Sequence, residues 1–307
     1  MKCIVTGGAG FIGSNLVDKL IDDGNDIIII DNLSTGKKEN INPKAKFYKK
    51  DISRDKFDNI FEGVDVVFHT AALARVQPSI KNPIEYHDVN VNGTHNLLVA
   101  ARDAGVKRFI FSSSSSIYGD VEEKDLPTSE DSKLNPMSPY ALHKLIGEQY
   151  CKLFSELYGM ETVCLRYFNV YGERQNTEGA YCLVMGIFAG QLLNGEPMTI
   201  NGDGEQRRDF TYVGDVVRAN ILASTNKKIF NDKIKCRAFN IGNGDNRSVN
   251  QIADLIGGNK INVSPVIEPR KTLADNLKAK ELLDWLPKGN LEDWIPKWKT
   301  EIGIQES

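Results

Sequence analysis

The 307-residue chain carries 38 Lys and Arg against 41 Asp and Glu, a formal charge of -3, with 41% hydrophobic and 26% charged residues. A chain of this length buries a sizeable core, as one large α/β unit or as a core domain with a smaller partner. The balanced charge excludes a general attraction to nucleic acid or an anionic membrane, so any phosphate recognition has to be local.

Short β-branched apolar runs alternate with helix-length segments, the pattern of a parallel sheet. Residues 2–6 (KCIVT) read as a first strand, 11–23 as a helix, 26–30 (DIIII) as a second strand, 46–50 as a third and 64–69 (VDVVFH) as a fourth. These runs are apolar on both faces, as buried parallel strands must be. A long helix is expected over 82–104, started by Asn82-Pro83 and stopped by Ala104-Gly105. Strand five is 107–112, a helix runs from Tyr140 to about Tyr158 after Ser138-Pro139, and strand six is 161–167. After residue 170 the rhythm becomes irregular, with turns at 201–204 and 242–246 and short helices near 248–256, 275–284 and 290–300. The expected division is residues 1–170 as a nucleotide-binding domain, with 212–242 returning to it, and 171–211 plus 243–307 as a substrate domain.

No stretch approaches the roughly 20 apolar residues of a membrane span and no signal-peptide pattern opens the chain, so a cytoplasmic protein is expected. Cys3, Cys151, Cys164, Cys182 and Cys236 lack C-x-x-C spacing and read as small core residues. His69, His87, His95 and His143 form no paired ligand spacing, and no metal site is expected.

Gly8-x-Gly10-x-x-Gly13 follows the first strand and opens the first helix, and Asp31 ends the second strand. That context is a dinucleotide fingerprint: the glycines let the backbone approach a pyrophosphate seated on the positive end of the helix, and the acid accepts from the ribose hydroxyls. The charge of Asp31 repels a 2'-phosphate, which favours NAD over NADP. Tyr140 and Lys144 lie four apart on one helix and share a face. A phenol is a poor base at neutral pH, but Lys144 and the positive nicotinamide ring favour the phenolate and make Tyr140 a workable general base.

With these residues the chain resembles the extended short-chain dehydrogenase/reductases, in particular the NAD-dependent nucleotide-sugar epimerases and dehydratases. The resemblance rests on "TGGAGFIG" (6–13), "DNLSTG" (31–36), "HTAAL" (69–73), "NVNGTHNLL" (90–98), "SSSSSIYGD" (112–120), "SPYALHK" (138–144), "RYFNVYG" (166–172), "GDGEQRRDFTYVGD" (202–215) and "FNIGNG" (239–244). It implies an α/β fold, a doubly wound parallel (Rossmann) sheet with a smaller C-terminal α/β substrate domain. It implies NAD contacts at Gly7, Gly10, Phe11, Ile12, Gly13, Asp31, Asn32, Ser34, Gly36, Asp51, Ile52, Ala71, Ala72, Asn90, Ser112, Tyr140, Lys144, Tyr167 and Phe168. Ser114, Tyr140 and Lys144 are the catalytic set, and Ser115, Ser116, Asn169, Arg207, Arg270 and Thr272 face the UDP-sugar. A homodimer packed through helices near 82–104 and 139–158 is implied as well.

Members that expel water carry an acid pair before the Val-Tyr-Gly, and UDP-glucuronate decarboxylases carry a glutamate there; this chain has Ser114, Ser115 and Ser116. Hydroxyls hold their protons too tightly to replace that pair, so elimination is disfavoured and 4-epimerisation through a transient 4-ketose remains. In "TLADNLKAKELL" the resemblance places Thr272 beside the sugar's C2 substituent, and a small side chain there admits N-acetyl groups. UDP-GlcNAc/UDP-GalNAc is the expected pair, with UDP-Glc/UDP-Gal as a second. Another nucleotide-sugar epimerase, reductase or decarboxylase, or a non-catalytic NAD-binding scaffold, are the alternatives. The loop between Arg270 and "LAD" is shorter than in the relatives.

Overall fold

The computed structural model describes residues 1–176, 183–231, 234–266 and 268–304. Its elements begin β1 (Lys2–Thr6), α1 (Phe11–Asp22), β2 (Asp26–Asp31), β3 (Lys46–Lys49), β4 (Val66–His69), α2 (Val76–Lys81), α3 (Pro83–His87), α4 (Gly93–Asp103), β5 (Arg108–Ser114), α5 (Pro139–Tyr158), β6 (Glu161–Tyr167) and β7 (Val170–Tyr171). There follow α6 (Val184–Leu193), β8 (Met198–Asn201), β9 (Arg207–Asp209), β10 (Thr211–Tyr212), α7 (Val213–Thr225), β11 (Cys236–Ile241), β12 (Asn246–Ser248), α8 (Val249–Ile256), β13 (Lys260–Val263), α9 (Leu277–Leu283) and α10 (Leu291–Ile302).

Seven strands form one parallel sheet in the order β11-β6-β5-β4-β1-β2-β3. The doubly wound α/β fold expected from the sequence is therefore present. Because strand side chains alternate, Cys3 and Val5 pack on one face with α1 and α7, while Ile4 packs on the other with α4 and α5. The order reverses between β1 and β4, and a crevice opens there at the carboxyl ends of the strands.

Strands one to four and six lie where the periodicity puts them. Strand five runs two residues further, to Ser114, because the serines pair in register with Leu165–Tyr167 of β6. The predicted helix over 82–104 is α3 and α4 joined by a widened π turn at Asp88–Asn92, where Asn90 turns its amide onto both backbone groups of Leu73. Helix α5 starts on Ser138, whose hydroxyl accepts from Ala141 N–H, and stops at left-handed Gly159. At its centre Glu148 is buried and forms a two-toothed ion pair with Arg166 of β6.

The later residues build a second core around Tyr171, Met185, Phe188, Ile252 and the stacked Trp294 and Trp298. Small sheets β7-β10, β9-β12 and β8-β13 line its edge. Strand β11 comes from this late region yet joins the main sheet beside β6. Cys3, Cys151 and Cys164 are buried and Cys236 is half-buried; Cys182 lies outside the described residues. No helix among the described residues is long and apolar enough to cross a membrane.

Candidate active site

The glycine turn is built for close approach. Gly7 has φ +70°, and a Cβ there would sit 2.7 Å from the backbone of Ala71; a Cβ on Gly13 would meet the Gly7 carbonyl at 2.2 Å. Only glycines let α1 start this close to the ends of β1 and β4. At the tip of β2, Asp31 accepts from Ala9 N–H at 3.0 Å and Leu33 N–H at 2.8 Å. Burial pushes its carboxyl up, against the pull of those two bonds. A bare turn closed by an oriented acid fits a dinucleotide, with the pyrophosphate on the turn and the ribose at Asp31.

The turn opens into a cavity of ≈ 1170 Å³ that runs from Asp31 past the end of β5 to β9. That exceeds the roughly 300–1,000 Å³ of a pocket for one small molecule, so there is room for a dinucleotide and a second ligand. Among the sequence-predicted residues, its wall contains Gly7, Gly10, Phe11, Ile12, Gly13, Asp31, Asn32, Ser34, Ile52, Ala71, Ala72, Ser114, Ser115, Ser116, Tyr140, Tyr167, Asn169 and Thr272.

Others stand behind the wall. Gly36 packs against the Asp31 carboxylate, and Asp51, bonded to Asn32 at 3.1 Å, lines an adjoining hollow. Ser112 is hydrogen-bonded to the Tyr167 hydroxyl, Asn90 braces Leu73, and Phe168 is buried against Tyr118. Lys144 is buried, its Nζ 5.9 Å from the centre of the Tyr140 ring, and it donates to the Ser112 carbonyl at 2.6 Å. Burial pulls its ammonium down to about 8.

Tyr140 and Ser114 line the same cavity. Burial pushes the phenol up, and the Ser114 hydrogen bond and the charge of Arg75 pull it back. Lys144, the cation expected from the sequence, lies on the same helix, and Arg75, on the loop before α2, is a second cation whose charge pulls the phenol down.

Two arginines of the expected substrate set lie outside the cavity wall. Arg207 turns away from the cavity and donates to the Asn246 side-chain and backbone oxygens at 2.7 and 2.9 Å; its neighbour Arg208 lines the cavity and pairs with Glu268. Adjacent strand residues face opposite sides, so of two consecutive arginines only one lines the cavity. Arg270 is drawn outward by a two-toothed pair with Asp203, at 2.8 Å on each arm, and does not line the cavity.

Sequence reasoning also missed wall residues from the later half, among them Gln175, Leu183, Thr199, Asn201, Gln206 and Phe210. The alternation of Met198–Asn201 was the available signal for two of them, since Met198 and Ile200 enter the core and Thr199 and Asn201 face the cavity. Among the described residues no group of three or more His, Cys, Asp and Glu side chains is placed to hold a metal ion.

The model of the NAD-dependent epimerase/dehydratase family matches residues 3–242. The chain belongs to that family. A Methanocaldococcus jannaschii relative is 47% identical over 82% of this chain and 80% of its own. The UDP-glucose 4-epimerase of Thermotoga maritima, solved with UDP-glucose, is 40% identical with a TM-score of 0.89, covering 99% of this chain and 98% of that one. The UDP-N-acetylglucosamine 4-epimerase of Methanobrevibacter ruminantium, solved with UDP-N-acetylmuramic acid, is 36% identical with a TM-score of 0.89 over 98% of both chains. Like its family, this enzyme depends on NAD and acts on nucleotide sugars as an epimerase.

Proposed function

We propose that this epimerase inverts C4 of a UDP-sugar, with UDP-GlcNAc and UDP-GalNAc as its main pair and UDP-Glc and UDP-Gal as a second. One observation carries the choice of reaction: Tyr140 meets the cavity beside Ser114, and the positions flanking it, Ser115 and Ser116, offer only hydroxyls. Elimination needs a carboxylate to work as acid or base at that place, whereas epimerisation needs one proton acceptor.

When bound, NAD supplies the hydride acceptor and donor for the sugar's C4. The chain's own residues handle the proton and the position. Tyr140 Oη takes the proton of the 4-hydroxyl and later returns it, Ser114 holds that oxygen by hydrogen bond, and Lys144 fixes the backbone that carries both. The oxidised sugar turns over between these groups and the outer wall, where Asn169, Arg208 and Thr272 stand.

Room for an N-acetyl group is argued from Thr272. Its side chain lines the cavity, and its hydroxyl is held back by accepting from Asp209 N–H at 3.1 Å. A homodimer belongs to the same reading, because Leu142, Leu153 and Leu157 form an exposed apolar stripe along α5 and Ile84 projects from α3 nearby.

The deciding experiment incubates the enzyme with UDP-, GDP- and dTDP-sugars in deuterated water and follows the products by chromatography and NMR. A C4 epimer that keeps its own hydrogen at C4, with no net change in NADH, is expected. Deuterium at C5, loss of water or release of carbon dioxide would overturn the reading.

A further inference from the structure

Arg75 sits in a backbone conformation that an ordinary side chain avoids. Its φ is +92° and its ψ 139°, in the half of conformational space where glycine is at ease. Such strain persists only where the surroundings impose it, and here they do. Asn90 holds Leu73 by two hydrogen bonds, the Tyr86 hydroxyl donates to the Ala74 carbonyl at 2.7 Å, and Ser79 Oγ accepts from the Tyr140 N–H at 3.1 Å. The loop is thus tied to the start of the helix that carries Tyr140. An arginine, with its long charged side chain, occupies this costly place and lines the same cavity wall as Tyr140 and Ser114. Residues under strain cluster where the strain serves function.

We propose that Arg75 is a further residue of the active site, a positioning residue that sets a fixed positive charge on the cavity wall it shares with Tyr140. The inference rests on Tyr140 as the base of the proposed 4-epimerase. Arginine suits the task because it stays charged at every working pH, while Lys144 is buried and already bonded to Ser112. Several groups stand around Tyr140. Lys144 and His143 share its helix, His87 of α3 lies against His143, Ser114 comes from β5, and Arg75 comes from the loop before α2. The charges further along the cavity wall are Asp31 and Lys50 at its cofactor end and Arg208 and Glu268, paired with each other, at the other. The charge of Arg75 pulls the Tyr140 phenol down, which is the direction this role requires.

The strain supplies a control that a merely structural role would fail. Arg75→Gly relieves the backbone while removing the charge, so thermal stability should hold or rise as function falls. The test uses NAD-loaded enzyme with tyrosine labelled at Cζ by carbon-13, the Tyr140 signal being the one lost in Tyr140→Phe. In Arg75→Gly the titration of that signal should move to higher pH, and in Arg75→Lys it should stay near that of the parent. Turnover should follow, with the loss in Arg75→Gly largest at low pH and shrinking as pH rises. If Arg75→Gly fails to fold, Arg75→Met against Arg75→Lys makes the same comparison. An unchanged titration in the charge-free variant, or an equal shift in Arg75→Lys, would overturn the proposal. Failure of the 4-epimerase reading is recognised separately, as absence of any C4 epimer from the parent enzyme, and leaves the titration to decide on Arg75.

Discussion

Lys144 donates to the Ser112 carbonyl at 2.6 Å, and through that bond helix α5, which carries Tyr140, is pinned to strand β5, which ends at Ser114 on the same cavity. The geometry therefore survives loss of the phenol itself. Tyr140→Phe should lower turnover by about 10²–10⁴-fold with thermal unfolding unchanged, and Ser114→Ala should cost less, since the hydroxyl assists but does not accept the proton. Steady-state rates set beside melting curves check this; a Tyr140→Phe enzyme with most of its activity would refute the role.

Asp31 has two duties in the structure, shaping the turn through Ala9 and Leu33 and facing the cavity. Asp31→Asn keeps most of the shape and removes the charge. It should release NAD more readily and bind NADP with less penalty than the parent, whereas Asp31→Ala should also destabilise the turn. Cofactor retention through gel filtration and titration with both dinucleotides separate the two effects.

Arg208 and Arg207 should behave differently although they are neighbours. Arg208→Met removes the guanidinium from the cavity wall, and loss of a charged hydrogen bond to a ligand costs about 1.5–3 kcal/mol, so KM for the UDP-sugar should rise about tenfold to a hundredfold. Arg207→Met cuts the bonds to Asn246 and should show first in the melting temperature. Equal KM effects from the two variants would put the substrate elsewhere.

Thr272→Tyr should fill the space claimed for the N-acetyl group, and overpacking costs about 1–3 kcal/mol, so turnover of UDP-GlcNAc relative to UDP-Glc should drop by roughly tenfold to a hundredfold. The substitution also removes the acceptor for Asp209 N–H. Thr272→Val, which lacks the hydroxyl and keeps the size, is the control, and parallel loss of both activities in the two variants would show that the hydrogen bond, not the space, had been measured.

Leu153→Glu combined with Leu157→Glu places two charges on the exposed stripe of α5. Light scattering should find the parent as a dimer and the variant as a monomer that still holds NAD. A monomeric parent would remove the stripe from the account of assembly.

The first six strands were legible because each is a short apolar run between turn signals, and the nucleotide turn because its glycines, strand and acid follow one another in sequence. What escaped was of three kinds. Helices α6 and α7 and strands β8 to β10 lie in a region where short elements and glycine turns give periodicity little length to act on. The choice between Arg207 and Arg208 depended on strand phase, and a three-residue strand hardly displays it. Arg75 is invisible as a site residue in sequence, because its place in the cavity comes from a backbone conformation that its residue type argues against.

The late arrival of β11 has a consequence for the chain as it is made. Strand β6 is complete at Tyr167, but its partner strand ends at Ile241, 74 residues later, and at roughly 5–20 residues per second the ribosome needs about 4–15 seconds to supply it. Through that interval the outer edge of β6 presents unpaired backbone groups to any other nascent strand. Arg166 lies within β6, and in the finished protein it is neutralised by Glu148. Glu148 precedes β6 in the chain, so the charge of Arg166 is already paired while the edge waits, and β11 itself is what closes that edge.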